Sequence, residues 1–278
     1  MYICKSRYLT RGEVWYDGEP GNPGSVDWIV YHQRSSPVPG TRWEYFYTYA
    51  VDLTETVERL QAQLNQDTAY KIRRARERDK IVCEECDSRD VAVLDRFEEM
   101  YNQFAVTKAL GRLDRSRVNS IANAGMLDLS VAIDSQGEAL VYHANYCDAF
   151  RATQLYLPSL YRNLSDKETR NLIGRANRYL SWSDILRYKN RGLKCFDFGG
   201  WYAGTDPGML KINDFKKGFG GQVLREYQCE QILTLKARLV LNTARLLKRA
   251  KRAVVAPKKR SATSPSIKVQ DPVAVPSA

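Results

Sequence analysis

From Phe196 to Gly221 the chain reads FDFGGWYAGTDPGMLKINDFKKGFGG. A short aromatic strand, Cys195–Phe198, ends in Gly199-Gly200. A loop follows, then a helical turn around Asn213–Lys217, then Gly218 and a Gly220-Gly221 pair before a last strand over Gln222–Tyr227. Such an order demands a strand–helix–strand passage with glycine at both turns. Glycine beside a strand end lets backbone come close to a ligand or to another element. A lysine on the following helix can bring positive charge to a developing oxyanion or a phosphate. The plain alternative is a tight turn with surface lysines.

The first fifty residues predict antiparallel strands. Trp43, Tyr45, Tyr47, Tyr49 and Val51 alternate along one run, and Asp27–His32 (DWIVYH) forms a second. The Pro/Gly-rich stretches Asp17–Ser25 and Arg34–Arg42 fit turns. Asp52 with Glu55 suggests a capping box for a helix over Thr54–Leu64. A basic helix over Tyr70–Arg78, a strand at Lys80–Cys83 and a longer helix capped by Ser88 follow. LSVAI and EALVYHANY, joined through Asp134–Gly137, read as a hairpin. Arg151–Leu157 adds another strand. A helical pattern covers Asp166–Asn190 and stops at Gly192.

Composition enters through charge. The 278 residues carry a formal net charge of +11. Gln231–Ala278 holds 11 of the 43 basic residues and one of the 32 acidic residues, so Met1–Glu230 stands at +1. A near-neutral body argues against duplex DNA as a partner, because duplex binding wants a basic folded face. Gln231–Val255 reads as a basic amphipathic helix, and 256–278 as a disordered tail. In that helix the half up to about Leu241 is expected to dock its apolar stripe. The distal half, with Lys248–Arg252 and Lys258–Arg260, is expected on an anionic membrane surface. No stretch reaches the roughly 18 apolar residues of a spanning helix. Lys5 and Arg7 interrupt the apolar run that a secretory leader needs, which predicts a cytoplasmic protein, peripheral at the inner face of the membrane. Six unevenly spaced cysteines read as reduced thiols. Cys83 and Cys86 form a lone CxxC without further ligands at metal spacing, so no metal is expected. His143, on the predicted strand VYHANY, reads as a core histidine, with general base as the alternative.

FDFGG and FKKGFGG, preceded by IGRANRYLSWSDILRYKNRGLKC, resemble the C-terminal half of FemAB-like proteins of the GNAT acyltransferase superfamily. The likeness spans roughly Asp67–Tyr227 and is specific over Ile173–Tyr227. It implies an α+β fold with a mixed, mostly antiparallel sheet, splayed central strands and flanking helices, over a single domain of residues 1–230. It implies acyl or aminoacyl transfer, from acyl-CoA or aminoacyl-tRNA as co-substrate, to an amine on a cell-envelope, saccharide or peptide acceptor, with no bound cofactor. By the family's Phe-Lys pair, Phe215 and Lys216 are the catalytic candidates, Lys216 as oxyanion stabiliser pointing into an open groove. Lys217 is the fallback. Asp197 would orient the amine or take its proton, or else cap amides of the Gly-Gly turn. Gly199, Gly200, Trp201, Tyr202, Lys217, Gly218 and Tyr227 would line the substrate cleft, with Trp201, Tyr202 and Tyr227 as core aromatics on the alternative reading. Arg73, Arg74, Arg175 and Arg178 are the phosphate-binding candidates, or solvated helix faces. Two departures stand out. The bridge-building members carry two such domains. The acyl-CoA pyrophosphate motif is also missing; Arg170–Ala176 comes nearest, with one residue too many. A non-catalytic protein binding an anionic partner, membrane surface or RNA, through its basic tail is the competing class.

Overall fold

The computed structural model describes residues 1–6, 8–160 and 166–255, with side chains up to residue 247. The predicted tail over 256–278 lies outside the described residues. The chain divides into two compact units, Met1–Phe46 with Arg225–Ala278, and Tyr47–Leu224.

The first unit holds β1 (Tyr2–Lys5), β2 (Thr10–Trp15), β3 (Trp28–Arg34) and the start of β4 (Arg42–Asp52). It also holds most of a late strand, Gln222–Ile232, and a helix, Leu235–Val255. β1 pairs antiparallel with β2, and the late strand antiparallel with β3. β2 and β3, however, are parallel, with Val14 opposite Tyr31. The Pro/Gly-rich segment between them is therefore not a hairpin turn. It carries the chain back to the start of the sheet, where Asp27 and Thr10 exchange two hydrogen bonds of 2.8 Å. Along β3, Ile29, Tyr31 and Gln33 alternate inward, and Ile29 and Tyr31 build a core with Val14, Val26 and Cys229.

The second unit orders its strands β4, β9 (Cys195–Gly200), β8 (Arg151–Tyr156), β7 (Ala139–Cys147), β6 (Leu127–Ile133) and β5 (Val82–Cys86). The late strand is thus β10. All these pairings are antiparallel except β8 with β9. The parallel ladder covers only Arg151–Thr153 against Cys195–Asp197, although β8 continues to Tyr156 and β9 to Gly200. The helices are α1 (Val57–Ala62), α2 (Gln66–Glu77), α3 (Val91–Thr107), α4 (Arg115–Asn123), α5 (Lys167–Asn190) and α6 (Pro207–Lys217); the helix of the first unit is α7.

Several boundaries move for identifiable reasons. Asp52 does not cap α1: its carboxylate accepts from Thr54 in a local turn, and Thr56 caps the helix by accepting from Arg59 N. Asn65 caps α2, accepting from Thr68 N at 2.7 Å, so the helix starts at Gln66, four residues before the expected Tyr70. Ser88 donates to Leu127 O, and Asp90 caps α3 instead. α6 is a full helix because Asp206 caps it ahead of Pro207 at the first helical position. α4, capped by Asp114, was not anticipated. The hairpin of β6 and β7 and the α5 pattern are as expected, with Gly137 and Gly192 at φ +84° and +86°.

Candidate functional site

The site lies in the second unit, where β9 alternates its side chains. Phe196 and Phe198 enter an aromatic core, Phe196 stacked 5.8 Å from Tyr188 and Phe198 5.0 Å from Phe219. Asp197 therefore points to the opposite face, fully buried. Its carboxylate accepts from Thr48 Oγ1, Arg151 Nη2, Thr153 Oγ1 at 3.3 Å and the Gly199 amide at 2.6 Å. Burying that charge requires these donors. The geometry matches an amide-capping role in the Gly-Gly turn. Thr48, Arg151 and Thr153 escaped sequence reading. The only signal was small polar residues inside strands, which taken alone mark nothing.

Gly199 sits at φ +71°, a conformation a side chain rarely adopts, and this turns the β9 end so that two successive carbonyls face one point. Lys216, on the last turn of α6, fills that point. Its Nζ donates to Gly199 O at 3.0 Å and to Gly200 O at 2.5 Å. Lys216 is 6% exposed, so it does not point into an open groove as expected. Burial pushes its ammonium down to about 8, against a smaller upward pull from Asp197. An ammonium has three donors. Two are taken by carbonyls of the strand end, one of them on the exposed Gly200. No acceptor for the third is found among the described residues.

Around this ammonium the structure gathers most of the candidates. Phe215 is half-buried against Phe219 and Phe198, with the Arg178 guanidinium 5.1 Å from its ring centre. Trp201 stacks on Tyr49 at 5.2 Å, and Lys217 Nζ lies 5.6 Å from the Trp201 ring. Lys217 is exposed and 3.4 Å from Asp214. Tyr202 is anchored through its backbone: its amide donates to Asn213 Oδ1 at 3.2 Å and its carbonyl accepts from Asn213 Nδ2 at 2.7 Å. Asn213, 2% exposed, was not singled out from sequence, although an Asn inside a short helix is a mild signal for such pairing. Gln154, at the point on β8 where the ladder to β9 stops, was missed too. It is buried, and its amide nitrogen has no acceptor among the described residues.

Other candidates have different employment. Gly218 is buried in a right-handed helical conformation. Its carbonyl accepts from Asn65 N, and a side chain there would strike the Thr68 hydroxyl, so it seats α6 on α2. Arg175 is buried and grips Asp79 with two bonds of 2.5 and 3.1 Å; Arg74 reaches Glu168 at 3.3 Å and Asp79 at 3.8 Å. Those two arginines tie α2 to α5 and are neutralised there. Arg73 is exposed and has no ion-pair partner among the described residues. Tyr227 belongs to the first unit, where it packs 5.3 Å from both Trp43 and Tyr45. His143 is a fully buried core residue, Nδ1 2.8 Å from Asp184 and Nε2 2.9 Å from Asn177. Burial pushes the thiols of Cys83 and Cys86 up to about 12 and about 11, so neither is a reactive thiolate near neutrality. No group of three His, Cys, Asp or Glu suited to a metal ion occurs among the described residues.

No family model matches the sequence, and no curated protein matches it. Solved structures do. FemX is 12% identical with a TM-score of 0.54, over 75% of this chain and 63% of FemX, so the chain spans less than two thirds of that protein. The C-terminal domain of a protein described as a lysylphosphatidylglycerol synthetase from Agrobacterium fabrum is 16% identical, TM-score 0.52, over 89% and 84% of the two chains. L-PGS from Bacillus licheniformis is 12% identical, TM-score 0.51, over 87% and 84%. The capped β9 end, the α6 lysine and the briefly paired parallel strands thus sit on a fold that resembles those of FemX and of the lysylphosphatidylglycerol synthetase domain.

Proposed function

We propose that this chain is an N-acyl- or N-aminoacyltransferase working at the end of β9. The donor is acyl-CoA or aminoacyl-tRNA, and the acceptor is an amine on a saccharide, peptide or other cell-envelope molecule. The fold supports this reading, as do the names of its structural relatives, which include FemX and a protein named for lysylphosphatidylglycerol, an aminoacylated lipid. The observation that carries it is Lys216, a buried ammonium held at the β9 end by two successive carbonyls, with no third acceptor among the described residues.

In the reaction, a neutral amine attacks the donor carbonyl and a C–N bond forms. Negative charge collects on the carbonyl oxygen, where Lys216 donates its remaining N–H. The C–S or C–O bond then breaks, releasing the thiol of coenzyme A or the ribose hydroxyl of the tRNA. The proton lost by the amine accompanies that leaving group. Arg178 over Phe215 and Lys217 over Trp201 supply positive charge for a phosphate-bearing donor.

The burial of Lys216 also favours a second reading. A lysine that only ties the β9 end to α6 is what a non-catalytic GNAT-fold protein, binding an anionic partner through its basic helix, would have. Thermal unfolding against a panel of acyl-CoA compounds and charged tRNAs separates the two. A donor at a hundred times its dissociation constant stabilises the fold by about 2.7 kcal/mol. A panel without any stabilising member contradicts the transferase reading.

A further inference from the structure

α7 does not dock the stripe that its sequence pattern suggested. Leu235 and Leu239 are 74% and 72% exposed, and Leu246 is 64% exposed. At about 100° per residue these three fall within roughly 40° of one another. The covered edge of the helix lies on its other side: Ala237 is fully buried, Leu241 is half-buried, and Arg245 pairs with Glu230. Val240 and Leu247 widen the exposed apolar face. Leu235–Val255 contains seven Lys and Arg and no Asp or Glu. Arg238 flanks one shoulder of the leucine stripe and Lys236 the other.

We infer that α7 is an interfacial helix that lies on an anionic lipid surface, its leucines in the headgroup boundary and its basic residues beside the phosphates. Charge selects this occupant. A second copy of α7 would bring two all-basic helices together. An RNA would satisfy the arginines and leave the leucines in water. A lipid surface takes both. No described helix is long and apolar enough to cross a membrane, so the contact is parallel to the surface. The inference does not depend on the transferase reading.

Co-sedimentation of the full chain with vesicles tests it, using phosphatidylcholine alone and phosphatidylcholine mixed with phosphatidylglycerol, at low and high salt. The full chain is expected to pellet with the anionic vesicles and to be released by salt. Arg238→Gln is expected to weaken partition about fivefold, the equivalent of one basic contact. Leu239→Glu with Leu246→Glu is expected to abolish it while leaving the unfolding midpoint unchanged, since both sites are exposed. The inference is overturned if the full chain ignores anionic vesicles, or if the leucine variant still pellets. It is equally overturned if the chain is a dimer that this variant dissolves, because the stripe then belongs to a second copy.

Discussion

Lys216 is held by opposing demands. Burial disfavours its charge, while nearby Asp197 favours it, and the balance leaves the ammonium at about 8. Because the unfolded chain keeps a lysine near 10.5, it binds more protons than the folded chain between about pH 8 and 10.5. Stability contributed at this position therefore rises with pH across that window, by up to about 3 kcal/mol. Urea unfolding of the wild type and of Lys216→Met, followed from pH 7 to 10.5 in roughly unit steps, should show the wild type gaining on the variant as pH rises. Parallel curves would mean that the ammonium is not desolvated. At this scale the glycine-flanked run marked Asp197, Lys216 and Lys217, and the family resemblance singled out Phe215 and Lys216. It did not show that Asp197 is spoken for, because its partners Thr48, Arg151 and Thr153 stand far away in the chain. Arg74 and Arg175 looked like phosphate ligands for the same reason: Asp79 and Glu168 meet them only after α2 and α5 pack.

At the scale of elements, glycine separates two kinds of turn. Gly221 has φ +99°, and a β-carbon there would collide with the Ala50 carbonyl oxygen and stand 3.0 Å from its carbon. Gly137 has φ +84° in the β6–β7 turn, with nothing near its missing side chain. Gly137→Ala should cost only the left-handed backbone penalty, about 1–2 kcal/mol. Gly221→Ala should cost more than twice that, since β4 and the start of β10 cannot part cheaply. Chemical denaturation of both variants measures the difference, and equal costs would refute the close-packing account of this glycine pair. Local chemistry made the β6–β7 hairpin, β9 and α5 legible: an Asp-x-x-Gly turn, an aromatic run and an N-terminal Asp cap. The parallel pairing of β2 with β3 was not legible. It depends on where Asp27 ties the returning chain, a contact that no periodicity announces. α1 shortened for a related reason, Asp52 being used in a turn ahead of the cap.

At the scale of the whole molecule, charge and chemistry are kept in separate segments. Residues up to Glu230 are nearly neutral, and the positive excess belongs to Gln231–Ala278. The candidate site lies at the meeting of β9 and α6 within Tyr47–Leu224. The proposed chemistry therefore rests on a buried ammonium and a few flanking cations, not on a broad electrostatic field. The central claim is that this ammonium stabilises the oxyanion of an acyl or aminoacyl transfer. Single-turnover transfer, from whichever donor stabilises the fold, tests it most directly when wild type, Lys216→Met and Lys217→Met are compared at equal folded fraction. One lost oxyanion donor is worth about a hundredfold or more in rate. Lys216→Met should fall by that amount, Lys217→Met by less than about tenfold, and wild-type transfer should decline as pH rises through about 8 and the ammonium is lost. Equal rates for the two variants, or a Lys216→Met protein that transfers like the wild type, would contradict the account.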